Sequence, residues 1–307
     1  MAQGTNRTRG LIAAAAILIV WSTPALFMHW LTRHYDAYTQ NFYRYLAGTL
    51  SVLPFALTLR KWRGSVSWRT WLLCAIPAIP NVGHQIAQTE SVARILPGFY
   101  AVFTRLTVVF TALAAMLMFA DERRIIRDPR FIAGALLGIA GAIGIVVFRP
   151  GFEAGPANSL GVTLALVAAG TWALYSVLVK KLAGHLNPLV GFSIIGAITT
   201  MLLLPLAMIN GHLASPLMLG WWPNTVLIFS GVFCIGIGHA LFYITIQDLG
   251  VAVAQNVQLL CPLGTVLLSA CLFDEKLSLA QLSCGIGILA GAFLTISIDR
   301  RVAPEED

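Results

Sequence analysis

The chain has 307 residues, 58% hydrophobic and only 11% charged, with 20 basic and 13 acidic side chains giving a net charge of +7. A soluble domain of this length exposes far more Lys and Glu, so that class is excluded. A nucleic-acid partner is excluded as well, because the basic excess follows the ends of apolar runs instead of forming a patch.

Ten apolar runs are long enough to cross a hydrocarbon core, which takes about 20 helical residues. They cover 11–30, 37–59, 70–89, 95–119, 131–148, 160–179, 188–209, 224–246, 251–273 and 279–298. No alternating barrel pattern occurs, and lipid satisfies no free backbone N–H or C=O, so the expected fold is all-α with ten transmembrane helices. No stretch remains for a soluble domain.

The first span begins with Arg7 and Arg9 and has no small-residue cleavage site after it, which predicts a retained helix, not a signal peptide. Trp21 lies within it, and Pro24 predicts a kink. The second span carries Arg44 about two turns from its outer end, with Gln40 one turn away. A gate or packing role for Arg44 is at least as good a reading as substrate contact, since its length lets it snorkel.

In the third span Pro77 and Pro80 predict distortion, while Asn81, His84, Gln85 and Gln88 form a polar stripe at i, i+3, i+4 and i+7. The fourth places Arg105 near mid-membrane, where a charge costs about 2.5–3.5 kcal/mol. Tyr100, Thr104, Thr107 and Thr111 share a stripe facing away from it. The arginine is the one expected to face the interior, because hydroxyls can bond their own helix and guanidinium cannot. It either binds a substrate carboxylate or bonds carbonyls or Glu90. Gly134 and Gly138 in the fifth span permit close helix approach, within the monomer or in a homodimer seam.

The second set begins with Trp172 and Tyr175, well inside the sixth span, placed either to stack on an apolar substrate or to pack. His239, Tyr243 and Gln247 line the eighth span, and Gln255 and Gln258 share a face of the ninth with Pro262. Gly287 and Gly291 repeat the glycine spacing in the tenth. Together these stripes predict a watery cavity between the halves; for any single residue, helix-to-helix hydrogen bonding worth about 0.6 kcal/mol competes. Cys74, Cys234, Cys261, Cys271 and Cys284 all lie in apolar runs as small packing residues. No acidic or thiol group stands beside the histidines at ligand spacing, so neither a metal nor a cofactor is implied.

Fourteen basic residues, among them Arg7, Arg60, Arg123, Lys180 and Arg300, fall on one side of the ten-span arrangement and four on the other. This bias predicts cytoplasmic termini. Trp30, Trp221 and Trp222 mark outer helix ends, and Trp62, Trp68 and Trp71 inner ends.

The two halves echo each other at an offset of about 150 residues: Trp21 with Trp172, His34 with His185, Leu53-Pro54 with Leu204-Pro205, Gly83-His84 with Gly238-His239 and Ala140-Gly141 with Ala290-Gly291. Each unit, 1–150 and 151–307, holds an odd number of spans, so the second is expected upside down. Inverted repeats around a midplane site are a transporter architecture.

Trp21-Ser22-Thr23-Pro24, Arg44 before a Leu/Ala run, Glu122 and Glu275 closing the fourth and ninth spans, Pro262 and the glycine-rich fifth and tenth spans together carry a resemblance. The chain resembles the ten-helix permeases of the drug/metabolite transporter superfamily, EamA type, over nearly its whole length. The resemblance implies an inner-membrane permease, usually an exporter of small metabolites, working by alternating access. Pro24, Pro262, Glu122 and Glu275 would serve as gate or structural residues. One departure is that Arg105 occurs in the fourth span with no proline after Pro97.

All thirteen acids lie outside the spans or at their ends. Cation efflux is therefore disfavoured, and an interior holding Arg105, His84 and His239 suits an anionic or zwitterionic substrate. The expected function is export of amino acids or related carboxylates. Uptake or ion-uncoupled exchange is the rival within transport. An intramembrane lipid or head-group transferase is the rival outside it, without the H-E-x-x-H or G-x-S-x-G signatures.

Overall fold

The computed structural model describes residues 6–59, 66–95, 100, 103–148, 158–183, 185–264, 267 and 278–298. Among them every regular element is helical. Glu275 lies outside the described residues.

The first span divides into α1 (Arg7–Trp21) and α2 (Pro24–Leu31). Pro24 has no N–H for the carbonyl of Val20, and the Thr23 hydroxyl donates to that carbonyl instead, at 2.7 Å. Asp36 caps α3 (Ala37–Thr58) by accepting from the N–H groups of Tyr38 and Thr39 at 3.0 and 2.8 Å. A Ser67/Thr70 capping box opens α4 (Trp68–Val92), which runs unbroken through Pro77 and Pro80. Then come α5 (Thr107–Met118), α6 (Ala120–Ile126), α7 (Pro129–Val147), α8 (Ser159–Ala183), α9 (Pro188–Asn210), α10 (Ser215–Met218) and α11 (Trp221–Ser230).

A π-helical segment, Gly231–Ile237, continues directly into α12 (Gly238–Leu249). Gly250, at φ 85°, turns the chain into α13 (Val251–Val257). A 3₁₀ turn, Gln258–Leu260, follows where Pro262 cannot donate to the carbonyl of Gln258, and Cys261 N–H takes that carbonyl over. The last described helix is α14 (Leu279–Ile296).

Six segments among the described residues are long and apolar enough to cross a membrane: Arg7–Leu31, Pro129–Val147, Ser159–Ala183, Pro188–Asn210, Trp221–Leu249 and Leu279–Ile296. α3 and α4 are of similar length, but their polar stripes dilute them. Exposure follows the opposite rule from a soluble protein. Ile19, Phe55, Ile79, Leu117, Leu136 and Phe293 face outward, while Arg44, Asn81, Gln85 and Thr199 are buried. Such a surface has lipid for its solvent.

Helices pair across the halves: α1 with α12, α3 with α9, α4 with α8, α5 with α13 and α7 with α14. α3 and α9 are antiparallel, since Thr39 lies by Gly211 and Thr49 by Gly196. α7 and α14 are antiparallel too, with Gly134 against Gly291 and Thr295, and Gly141 against Cys284. A Cβ on Gly134 would sit 2.5 Å from the carbonyl oxygen of Gly291. These glycines therefore close a contact within the chain, whereas Gly287 faces open space.

The span expected over 95–119 is not one regular helix. Residues 105 and 106 form a turn before α5, closed by Leu106 N–H to Phe103 O at 3.1 Å and Val108 N–H to Arg105 O at 3.2 Å. Both bonds reach only three residues back, a tighter winding than an α-helix.

Candidate functional site

At the centre of the bundle two tryptophans and two histidines meet, one of each from either half. Trp21 on α1 lies 5.7 Å from His239 on α12, and Trp172 on α8 lies 4.7 Å from His84 on α4. The indoles contact each other edge to face at 5.4 Å. Phe242 stacks on Trp172 at 5.3 Å, and Phe192 stacks on His239 at 5.4 Å. Tyr175 lies 5.1 Å from Trp172, and its hydroxyl meets that of Tyr243 at 2.7 Å.

Glycine makes one of these contacts possible. A Cβ on Gly238 would fall 2.3 Å from Trp21 Nε1, so only a bare backbone lets the indole lie on α12. Its counterpart Gly83 is less constrained, with Thr171 Cγ2 at 3.5 Å. Trp21 Nε1 donates to the carbonyl of Cys234 in the π-helical segment at 3.0 Å.

A hydrogen-bonded layer adjoins the rings. Tyr45 Oη donates to Asn81 Oδ1 at 3.0 Å, accepts from Gln85 Nε2 at 3.0 Å and stands 3.3 Å from His239 Nε2. Asn81 Nδ2 continues to Thr199 Oγ1 at 3.2 Å. His239 Nδ1 faces the carbonyl of Ile235 at 3.0 Å, and His84 Nδ1 faces that of Ala168 at 2.8 Å. A carbonyl only accepts, so both histidines carry their proton on Nδ1 and present Nε2.

Trp21, Trp172, His84, His239, Asn81, Gln85, Tyr175 and Tyr243 thus come together. Most of their polar groups bond across helices. Gln258 stands apart, folded back toward the carbonyl of Ala254 at 3.5 Å. Gln255 reaches inward instead, donating to Ser176 Oγ at 2.7 Å, and Ser176 bonds the carbonyl of Trp172.

Arg105 sits in the turn before α5, half-buried, and donates to Thr104 Oγ1 at 3.1 Å. Thr107 and Thr111, on the stripe expected to face away, are buried, Thr107 against Ala169 of α8. Tyr45, Phe192 and Phe242 were missed by sequence reasoning. For Tyr45 the signal was present: Asn41 and Tyr45 stand at i, i+4 on α3, the spacing of a shared face.

Both ends of the bundle are tied across the halves. At one, Arg9 bonds Asp248 at 2.7 and 2.8 Å, and Lys180 bonds Glu122 at 2.6 Å and also Asp121. Buried Glu122 further accepts from the N–H groups of Val251 and Ala252 at 3.0 and 3.3 Å. At the other, Tyr35 bonds Asn224 at 2.7 Å, Tyr43 bonds the carbonyl of Leu213 at 2.9 Å, and Asp36 accepts from His212 N–H at 3.0 Å. Burial pushes the Asp36 carboxyl up, but hydrogen bonds from Thr39, His212 and Tyr38 outweigh it and hold it below the usual range. A small apolar cavity of about 10 Å³ is lined by Val179, Leu182, Leu186, Gly191, Ile195 and Tyr243.

The model of the EamA-like transporter family matches residues 8–147 and again 159–297. An uncharacterized transporter of Haemophilus influenzae is 23% identical over 276 residues, 88% of this chain and 91% of that protein. Another, of Archaeoglobus fulgidus, is 22% identical over 287 residues, 92% of this chain and 95% of that protein. A solved crystal structure at 19% identity superposes with a TM-score of 0.74, covering 94% of this chain and 96% of the other, and shares the fold. With a polar, ring-lined centre, an apolar exterior and two family matches spanning nearly all of its length, the chain belongs to the EamA-like transporter family and is a multi-pass membrane protein.

Proposed function

We propose that this protein is a secondary transporter of the cell inner membrane that exports amino acids or related small carboxylate or zwitterionic metabolites by alternating access. Two inverted five-helix repeats, 1–150 and 151–307, with cytoplasmic termini, enclose its substrate site. One observation carries the reading: at the centre a tryptophan of each half contacts the histidine of the other, Trp21 with His239 and Trp172 with His84, and the two indoles meet between them. A site at such a meeting point belongs equally to both halves and can be uncovered toward either side.

The helix pairing supports the inversion. Exchanging the halves turns the α1–α12 pair into the α8–α4 pair and leaves α3–α9, α5–α13 and α7–α14 unchanged. The bonds across both bundle ends support an occluded state in this reading.

Charge supports the substrate class. Among the described residues the carboxylates stand at helix ends or between helices, while Arg44 and the two histidines lie inside. Trp21, Trp172, Tyr175, Tyr243, His84, His239, Asn81 and Gln85 contact the substrate in this reading, and Arg105 guards the turn before α5. The test compares metabolites in medium and cytoplasm with and without overexpression. Accumulation of one carboxylate outside is expected, and a purely cationic product would overturn the substrate class.

A further inference from the structure

Arg44 is 2% exposed, and its Nε and Nη1 atoms have no hydrogen-bond partner among the described residues. Gln40, one turn earlier on the same face of α3, is 0% exposed, and both its amide atoms are likewise unpartnered. Four of the seven such atoms therefore belong to this one pair. The other three are hydroxyls of Thr49, Thr111 and Ser193, which carry no charge.

Guanidinium cannot escape burial by losing its proton, so its charge must be balanced by an anion or by full hydrogen bonding. Neither is met here. Cys234 offers Arg44 a thiol bond, a weak acceptor. On its own helix the nearest carboxylate is Asp36, about 12 Å away by helical rise, and that group is committed to Tyr38, Thr39 and His212.

The backbone at Arg44 is tightly packed. A Cβ on Gly231 would lie 2.5 Å from the Arg44 carbonyl oxygen, and one on Gly48 would lie 2.7 Å from the Gly231 carbonyl oxygen. α3 therefore sits directly against the π-helical segment. That segment also presents the Cys234 carbonyl to Trp21, and the next residue after Arg44 is Tyr45, bonded to the central layer. Arg44 thus stands one residue from the central layer on α3.

We infer that Arg44 and Gln40 form a binding site for a monovalent anion, the carboxylate group of the transported substrate or chloride, with Arg44 balancing its charge and the Gln40 amide donating beside it. As a substrate subsite this rests on the carboxylate reading proposed above; as an anion site it does not. It places the charge-recognising arginine on α3, where the sequence alone pointed to Arg105.

Thermal unfolding of the purified full-length protein in detergent tests it, in sodium acetate or sodium chloride against a bulky sulfonate salt at equal ionic strength. The wild type is expected to show a saturable rise in midpoint with acetate, absent in Arg44→Met and needing more acetate in Gln40→Leu. The exposed-charge control Arg130→Met keeps the rise. A rise with chloride alone supports the site with chloride as its ligand and removes the carboxylate role. No saturable rise with either salt, or a rise unchanged in both Arg44→Met and Gln40→Leu, overturns the inference. Export measured in the same variants separates the two proposals. A cationic export product with the acetate rise intact sinks the carboxylate reading and leaves the anion site standing.

Discussion

Tyr45 Oη and His239 Nε2 meet at 3.3 Å across the contact between α3 and α12. The phenol has one proton, while Asn81 Oδ1 and His239 Nε2 both face it and Gln85 donates to it. Tyr45→Phe keeps the ring and strands these buried polar groups, each worth about 1–3 kcal/mol when left unmet. The midpoint of thermal unfolding is expected to fall and export to drop at equal expression. A variant as stable as the wild type would show that the layer is not held through this hydroxyl.

The two glycine-histidine pairs should respond differently to the same change. Gly238→Ala drives a methyl into the indole of Trp21 and is expected to cost about 1–3 kcal/mol by overpacking. Gly83→Ala meets only Thr171 at ordinary contact distance and is expected to be tolerated. Equal losses in the two variants would contradict this asymmetry. Denaturation of the two purified proteins decides it.

At the end of the bundle that holds Arg9, Lys180 forms an ion pair with buried Glu122. Lys180→Met removes the 2.6 Å ion pair from that carboxylate, and the loss is expected near the lower end of the ~3–5 kcal/mol typical of a broken buried pair. Adding Glu122→Gln to Lys180→Met should recover part of it, since the uncompensated charge is gone. A double variant less stable than the single one would rule out charge compensation as the role of Lys180.

Acid should weaken the opposite end. The folded-state pKa of Asp36 is lowered, so its stabilising effect is present above the unfolded value near 3.8 and is lost as pH falls through the lower folded value. Asp36→Asn should therefore be less stable than wild type at neutral pH, with the difference shrinking below about pH 4. A difference that stays constant down to pH 3 would exclude the carboxylate charge as its source.

Much of the architecture was legible because lipid admits few solutions. Apolar length marked the spans, and of the echoed residues Trp21 and Trp172 meet at 5.4 Å. Pro24 announced the break between α1 and α2, and Pro262 the 3₁₀ turn just before it. The turn at Arg105 was not legible, since Thr, Leu and Val around it read equally well as helix. Nor was the π-helical segment, whose register depends on the approach of α3 to Gly231 and Gly236. Phe192 and Phe242 looked like any other apolar residue until tertiary contact set them on His239 and Trp172.

Because α1 rests on α12, the backbone N–H of Asn6 waits for a carboxylate 242 residues later in the chain. At 5–20 residues per second of synthesis, that is roughly 10–50 s before this bond can form. A chain ended before Asp248 would leave the Asn6 N–H and the Arg9 guanidinium without that carboxylate, and the start of α1 without its tie to α12.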